Sequence, residues 1–207
     1  MRKSEIKRKT AETEISMSLD IDGSGTYDIK TGCGFFDHML ELFTRHGRFD
    51  VSLECRGDSH VDYHHTVEDT GIVMGRAFRE ALGDKKGIRR YGSMIMPMDE
   101  VLMLCALDIS GRCFLNFDVE FKVMKVTSEE TEKRPMMAGL FDTELVSVFL
   151  DAFCRELGLT LHVMKLSGEN THHIIEAVFK GLGRAMAAAT EIDPKSENEI
   201  PSTKGVL

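Results

Sequence analysis

The pentad His64-His65-Thr66-Val67-Glu68 recurs 108 residues further on as His172-His173-Ile174-Ile175-Glu176. Imidazole nitrogens and carboxylate oxygens together bind first-row divalent metals, and on a helix residues i and i+4 share a face. Each copy can therefore offer one nitrogen and one oxygen to the same ion. The neighbouring His65 and His173 sit about 100° further around the helix, so they point to a different ion or a different subunit. A single pentad is a weak signal, because short motifs recur by chance. Two in register are not: Asp62 falls on Asn170, and Gly75-Arg76-Ala77 falls on Gly183-Arg184-Ala185 without a gap. The chemistry expected is a metal site built twice. Mixed His and carboxylate ligands without cysteine suit an octahedral Mn(II) or Fe(II) better than a structural zinc.

Asp62 and Asn170 are natural N-caps, which places all four histidines in a first helical turn. There the helix dipole disfavours imidazolium and favours the neutral ring that binds metal. Aligning the copies upstream, with two extra residues in the first half's connection, sets His38-Met39-Leu40-Glu41-Leu42-Phe43 against Val148-Phe149-Leu150-Asp151-Ala152-Phe153. His38 is then a further ligand, and its counterpart is a valine, which cannot bind metal. The two sites are expected to differ by one protein ligand. His46, His60 and His162 have no histidine counterpart, and on position alone they read as surface or structural residues. Asp20-Ile21-Asp22-Gly23-Ser24-Gly25 imitates the start of an EF-hand, but Thr31 stands where its bidentate glutamate belongs.

Two copies of one unit must position these groups. Ile15, Met17, Leu19 and Ile21 alternate with polar residues, and Asp22-Gly23-Ser24-Gly25 predicts a hairpin to a short strand over 27–30. Asp37 reads as the cap of a helix from 38 to about 45; Val51, Leu53 and Cys55 mark a strand, and 62–82 a helix stopped by Gly83. In the second half, 101–109 and 114–121 predict a strand pair about Ser110-Gly111. A helix over 143–157, a strand over 159–166 and a helix over 170–190 follow. The order strand, strand, helix, strand, helix thus occurs twice. It predicts an α+β fold of two small sheets with helices packed between them, the halves 1–91 and 92–207 forming one catalytic domain. Residues 122–137 lack an apolar period and read as an exposed loop, while Arg2, Lys3, Lys7, Arg8 and Lys9 read as a solvated terminal arm. In the tail, a hydroxyl pair beside a lysine, Ser202-Thr203-Lys204, suits an anion as well as it suits an ordinary polar end.

Composition excludes several classes. The 207 residues are 42% hydrophobic and 29% charged, as in a globular protein, and no apolar run approaches the roughly 20 residues that cross a bilayer. A net charge of −8 argues against nucleic acid as a partner. Five cysteines without a C-x-x-C suit reduced thiols, and the basic start lacks the apolar stretch of a signal peptide, so a cytoplasmic location is expected.

On these residues the chain resembles the imidazoleglycerol-phosphate dehydratase family. The likeness runs through Phe36-Asp37-His38-Met39-Leu40, Asp62-Tyr63-His64-His65-Thr66-Val67-Glu68-Asp69, Leu107-Asp108-Ile109-Ser110-Gly111-Arg112, Gly168-Glu169-Asn170-Thr171-His172-His173-Ile174-Ile175-Glu176-Ala177 and Ile200-Pro201-Ser202-Thr203-Lys204-Gly205-Val206-Leu207. The resemblance implies a monofunctional enzyme of histidine biosynthesis that dehydrates imidazole glycerol phosphate to imidazole acetol phosphate. It implies two Mn(II) ions per active site, one held by His38, His65, His172 and Glu176, the other by His64, Glu68 and His173. In many members a histidine stands at the place of Val148. Substrate contacts carry over to Glu12, His46, Arg90, Arg112, Lys180, Ser202, Thr203 and Lys204 beside the metal ligands. The phosphate would meet Arg90, Arg112, Lys180, Ser202 and Lys204. A homo-oligomer is implied, a shell of 24 subunits with metals and Glu12 meeting substrate at subunit boundaries.

The substrate explains two ions. The proton to be lost sits on a carbon beside an imidazole, with no carbonyl to acidify it. Metal ions on both ring nitrogens would stabilise an imidazolate able to expel the C3 hydroxyl, the resulting enol tautomerising to the ketone. Glu176 or its metal-bound water is expected to take the proton while Glu12 assists near the hydroxyl, with the reverse assignment open. A two-metal phosphoesterase and a non-catalytic metal-binding cage are the competing readings.

Overall fold

Alternation along the sequence becomes alternation of burial. Between Thr13 and Asp20, residues Thr13, Ile15, Met17 and Leu19 face inward; between Val101 and Asp108, Val101, Met103, Cys105 and Leu107 do the same, the period of a half-buried strand. The computed structural model describes residues 2–122, 125–126, 141–205 and 207. One four-stranded sheet holds β1 (Lys3–Lys9), β2 (Thr13–Asp20), β3 (Tyr27–Lys30) and β4 (Asp50–Gly57) in the order β1-β2-β4-β3. The chain continues through β5 (Tyr91–Met98), β6 (Val101–Asp108), β7 (Phe114–Asp118), a short pair β8 (Lys125–Val126) with β9 (Phe141–Asp142), and β10 (Thr160–Ser167). The second sheet has the order β5-β6-β10-β7, the same plan as the first. Of the exposed loop expected over 122–137, residues 125–126 form β8 instead, and 123–124 and 127–137 lie outside the described residues.

Two expected pairings are corrected. The hairpin at Asp22-Gly23-Ser24-Gly25 does not form: β3 runs parallel to β4, Tyr27 opposite Val51, and β7 runs parallel to β10, Phe114 opposite Thr160. Parallel neighbours need a crossover long enough to hold a helix. α1 (Gly34–Gly47) supplies it in the first half and α3 (Glu144–Leu157) in the second, α2 (His64–Leu82) lying between them in the chain. The antiparallel hairpins are instead β1–β2 and β5–β6.

β1 is a further correction, because the basic arm is an edge strand. Arg8 pairs with Asp69 on α2, Lys3 with Asp20, and Ser4 Oγ donates to the Ala77 carbonyl at 2.8 Å. An edge strand whose contacts are mostly ionic carries no apolar signature. β5 also lies outside the expected elements; it is an edge as well, where Pro97 is tolerated. Apart from the short β8–β9 pair in the second, each half is therefore strand, strand, strand, helix, strand, helix. Asp37 does not cap α1, which begins at Gly34; it sits in the first turn and accepts the Thr31 N–H at 2.7 Å and the Thr31 hydroxyl at 2.5 Å.

The helices fill the space between the sheets, and the halves meet there. α1 lies against α4 (Thr171–Thr190), and α2 lies against α3. The repeated glycines set how closely. A Cβ on Gly75 would stand 2.7 Å from the Phe153 carbonyl oxygen, and one on Gly183 would stand 2.5 Å from that of Phe43. Phe43 and Phe153 are themselves counterparts in the upstream alignment, so one helix crossing is made twice. Their rings meet with centroids 6.2 Å apart in an aromatic core with Phe78 and Phe149, where a well-placed pair adds about 0.5–1.5 kcal/mol beyond its burial. Among the described residues no helix is long and apolar enough to cross a membrane.

Candidate metal centre

At the start of α4, Asn170 Oδ1 accepts the backbone N–H groups of His172 at 3.0 Å and His173 at 3.3 Å, satisfying two of the helix's free donors. One turn on, Glu176 Oε1 lies 3.1 Å from His172 Nε2, as the i, i+4 spacing requires. α1 runs alongside and brings His38 Nε2 to 3.2 Å from the same oxygen. The ligand atoms of His38, His172 and Glu176 lie within 4.8 Å of one another, a cluster able to hold a metal ion. Lys180 Nζ donates to the other carboxylate oxygen, Oε2, at 2.5 Å. Burial pushes the Glu176 carboxyl up, but hydrogen bonds with Lys180, His38 and His172 outweigh it and hold it at about 2. The result is a fixed anion beneath two imidazoles that are open to solvent. Two imidazole nitrogens and an ionised carboxylate fit part of an octahedral site, leaving positions for further ligands and substrate.

The start of α2 follows the plan incompletely. Tyr63 precedes the helix where Asp62 was the expected cap, although Asp62 Oδ1 still accepts the His64 N–H at 2.7 Å. Glu68, in register with Glu176, meets Arg155 of α3 with N–O at 3.4 Å. Val148 holds the place of His38, and Ile72 the place of Lys180.

His65 and His173 turn away from their neighbours. The His64–His65 rings stand at 86° with centroids 6.1 Å apart, and the His172–His173 rings at 90° and 6.3 Å. One chain accordingly does not bring His65 to the His38 cluster, nor does that cluster include His64, Glu68 or His173. His65 Nδ1 lies 2.9 Å from Asp58 Oδ2, a contact that pushes the imidazole pKa up, and its Nε2 lies 3.7 Å from Glu12 Oε1. His173 Nδ1 lies 2.9 Å from Glu100 Oε2, and its Nε2 lies 3.8 Å from Asp99 Oδ2. Asp58, Asp99 and Glu100 are absent from the sequence-derived candidates. A signal existed for one: Glu12 and Glu100 each immediately precede the second strand of their sheet.

The remaining candidates fall into two groups. His46 lies further along α1, where burial pushes its pKa down and the charges of Lys180 and Arg184 push it further. Arg90 forks onto Asp108, Nε to Oδ1 at 2.7 Å and a terminal nitrogen to Oδ2 at 3.1 Å, and its other terminal nitrogen donates to the Pro201 carbonyl at 2.8 Å. That bond ties Arg90 to the turn holding Ser202, Thr203 and Lys204, in which the Lys204 N–H donates to Ser202 Oγ at 3.2 Å. Gly111, beside Arg112, approaches the same tail so closely that a Cβ there would stand 2.9 Å from the Leu207 carbonyl carbon. Arg90 is thereby joined to the tail, and the backbone beside Arg112 abuts its last residue, while the Arg112 guanidinium donates to the Ser110 carbonyl at 3.4 Å. Lys180 is engaged by Glu176 instead.

Fold and site together define a class of enzyme in which a duplicated α+β scaffold sets histidines and carboxylates at the starts of paired helices. The sequence model of the family described as imidazoleglycerol-phosphate dehydratase matches residues 31–186. The chain is 55% identical over 207 residues to the imidazoleglycerol-phosphate dehydratase of Azorhizobium caulinodans, covering all of this chain and 99% of the relative. With that of Methylorubrum extorquens it shares 54% over 207 residues and the full length of both. The crystal structure of imidazoleglycerol-phosphate dehydratase from Staphylococcus aureus superposes with a TM-score of 0.79 at 38% identity, over 92% of this chain and 99% of that one. That of the Pyrococcus furiosus protein, in complex with (S)-C348, gives 0.79 at 37% identity over 98% and 100%. The chain belongs to the imidazoleglycerol-phosphate dehydratase family, hydro-lyases of a dehydration step in histidine biosynthesis.

Proposed function

We propose that the protein dehydrates imidazole glycerol phosphate to imidazole acetol phosphate with two Mn(II) ions per active site. The cluster of His38, His172 and Glu176 carries this reading, a preassembled donor set in a family of dehydratases. His38, His172 and Glu176 would hold one ion together with His65, and His64, Glu68 and His173 the other. Since one chain does not gather both sets, a second copy completes them across a subunit boundary. When bound, the ions would supply Lewis-acid withdrawal of charge from the substrate's two ring nitrogens.

The chain's own groups do the rest. Arg90, its fork fixed by Asp108 and the Pro201 carbonyl, seats the phosphate with Arg112, Ser202 and Lys204, and Lys180 reaches it from its place on Glu176, with Thr203 a further substrate contact. Glu176, or a water beside it, accepts the proton from the carbon beside the ring. Glu12, exposed and 3.7 Å from His65 Nε2, hands a proton to the departing hydroxyl, which leaves as water. His46, between α1 and the Lys180–Arg184 charges, lines the approach.

The outer faces of the sheets support self-association. Tyr91, Ile95, Phe114 and Leu166, each at least half exposed, share the outer face of the second sheet, where the first presents Lys7, Lys9, Glu14, Glu54 and Arg56. Such an apolar face suits burial in a homo-oligomer, the assembly of 24 subunits being the state we assign. Ile95→Lys with Phe114→Lys should yield smaller species by sedimentation; an unchanged profile rules this face out. Five cysteines without a disulfide among the described residues suit the cytoplasm.

The deciding experiment is metal analysis of the purified protein with an assay for the keto product, with and without chelator. Full turnover after complete metal removal overturns the metal reading. Release of inorganic phosphate in place of the keto product would make the protein a phosphoesterase.

A further inference from the structure

We propose that Asp58 and Glu100 are positioning residues for His65 and His173, fixing each ring so that an unprotonated Nε2 faces outward as the ligand nitrogen. This rests on the metal reading above. Each carboxylate stands 2.9 Å from the Nδ1 of its histidine. A ring that donates Nδ1–H to a carboxylate keeps its lone pair on Nε2, and the contact also sets the ring plane and raises ligand basicity.

The two contacts are alike, yet the repeat does not explain them. Asp58 follows β4, whereas Glu100 lies in the β5–β6 turn. In the helix register Asp58 corresponds to Leu166, and Glu100's own counterpart by strand position, Glu12, faces the other nitrogen of His65. One chain thus places a carboxylate on Nδ1 of both histidines from unrelated positions, which points to a requirement of the imidazole rather than an inheritance of the fold.

Helix capping does not account for Asp58. The backbone donor at the start of α2 is met by Asp62, while Asp58 Oδ1 is buried without a hydrogen-bond partner among the described residues. A buried carboxylate oxygen left unmatched costs stability, and Oδ2 on His65 is what the placement achieves. Glu100 has a second role, its Oε1 accepting the Asn170 N–H at 3.0 Å, which ties the His173 contact to the start of α4.

The test measures Mn(II) binding to the full-length protein, prepared metal-free, by the EPR signal of the free ion. Asp58→Ala and Glu100→Ala should each weaken binding about 10–100-fold, while Asp58→Asn and Glu100→Gln, which keep an acceptor oxygen, recover part of it. A structural role would lower the melting temperature of the metal-free protein without this graded return of affinity. Wild-type Mn(II) affinity in both alanine variants, with binding lost in His65→Gln and His173→Gln, overturns the positioning role and leaves the metal reading standing. Wild-type affinity in the histidine variants too overturns both. Should an alanine variant fail to fold, imidazole 15N shifts of the metal-free wild type decide the matter: protonation at Nδ1 of both rings supports the assignment, and protonation at Nε2 overturns it.

Discussion

The starts of α2 and α4 carry the same pentad and different surroundings. The side chain of Glu176 is 10% exposed and held by His38, His172 and Lys180, whereas that of Glu68 is 37% exposed and meets Arg155. Two of those three contacts trace to substitutions, Val148 standing for His38 and Ile72 for Lys180, while the third partner, His172, has an unchanged counterpart in His64. What the halves retain is the scaffold, namely the glycine crossing, the side chain bonded to the first backbone donors and the perpendicular histidine pair. A crossing of two backbones tolerates no added carbon on either copy, while a ligand position tolerates a valine wherever another group can complete the site. Backbone geometry is therefore the conservative part of the duplication, and the chemistry at its two ends has diverged.

Breaking the assembled end should have the largest effect. Glu176→Gln removes the ionised oxygen shared by two imidazoles, and turnover is expected to fall at least about 10²-fold, in the range of lost acid–base groups. Mn(II) affinity should fall further than in Glu68→Gln, measured side by side. Equal losses in the two variants would mean that the ends are equivalent in the assembled enzyme despite their different settings.

The scaffold should respond evenly. Gly75→Ala and Gly183→Ala each press a methyl against a backbone carbonyl that no rotamer change can move, and each should lose about 1–3 kcal/mol in urea denaturation. A loss confined to one of them would show that the crossings have diverged as the ligands have. Giving the α2 end the histidine that the proposed ligand set lacks is a gentler change. Val148→His should tighten Mn(II) at the α2 end by about tenfold, or ~1.4 kcal/mol; an unchanged isotherm would show that another group already fills the position.

These contrasts also explain what was readable beforehand. The repeat, the helices, the shared face of His172 and Glu176, the divergence of His173 and the His38–Val148 inequality follow from helical periodicity, which is local. Strand order is not local: nothing within residues 13–30 says that β4 will insert between β2 and β3. β1 and β5 are edges, one charged and one interrupted by Pro97, so neither shows the alternation that marks a half-buried strand. Asp58 and Glu100 look like turn residues until the fold sets them on their histidines, Asp58 across the seven-residue turn into α2 and Glu100 across 73 residues of chain. Lys180 reads as a phosphate contact by resemblance, yet its i, i+4 spacing from Glu176, the spacing that joins His172 to the same carboxylate, already allowed the bond that the fold shows.

The smallest effect tests that last bond and the asymmetry with it. The Glu176 carboxyl is held at about 2, below its ordinary 4.5, so its stabilising contribution is complete above pH 4.5 and is lost as the pH falls toward 2. Glu100 is also held at about 2 by His173, so acid destabilisation of the wild type in this window has more than one source. The difference between wild type and Glu176→Gln isolates the buried carboxylate. In metal-free buffer their melting temperatures should converge as the pH is lowered from 4.5 toward 2, because the wild type alone loses the ionised contact to Lys180, His38 and His172. Curves that fall in parallel would mean that this contact adds nothing to the folded chain, and that the α4 end, like the α2 end, is assembled only by what binds there.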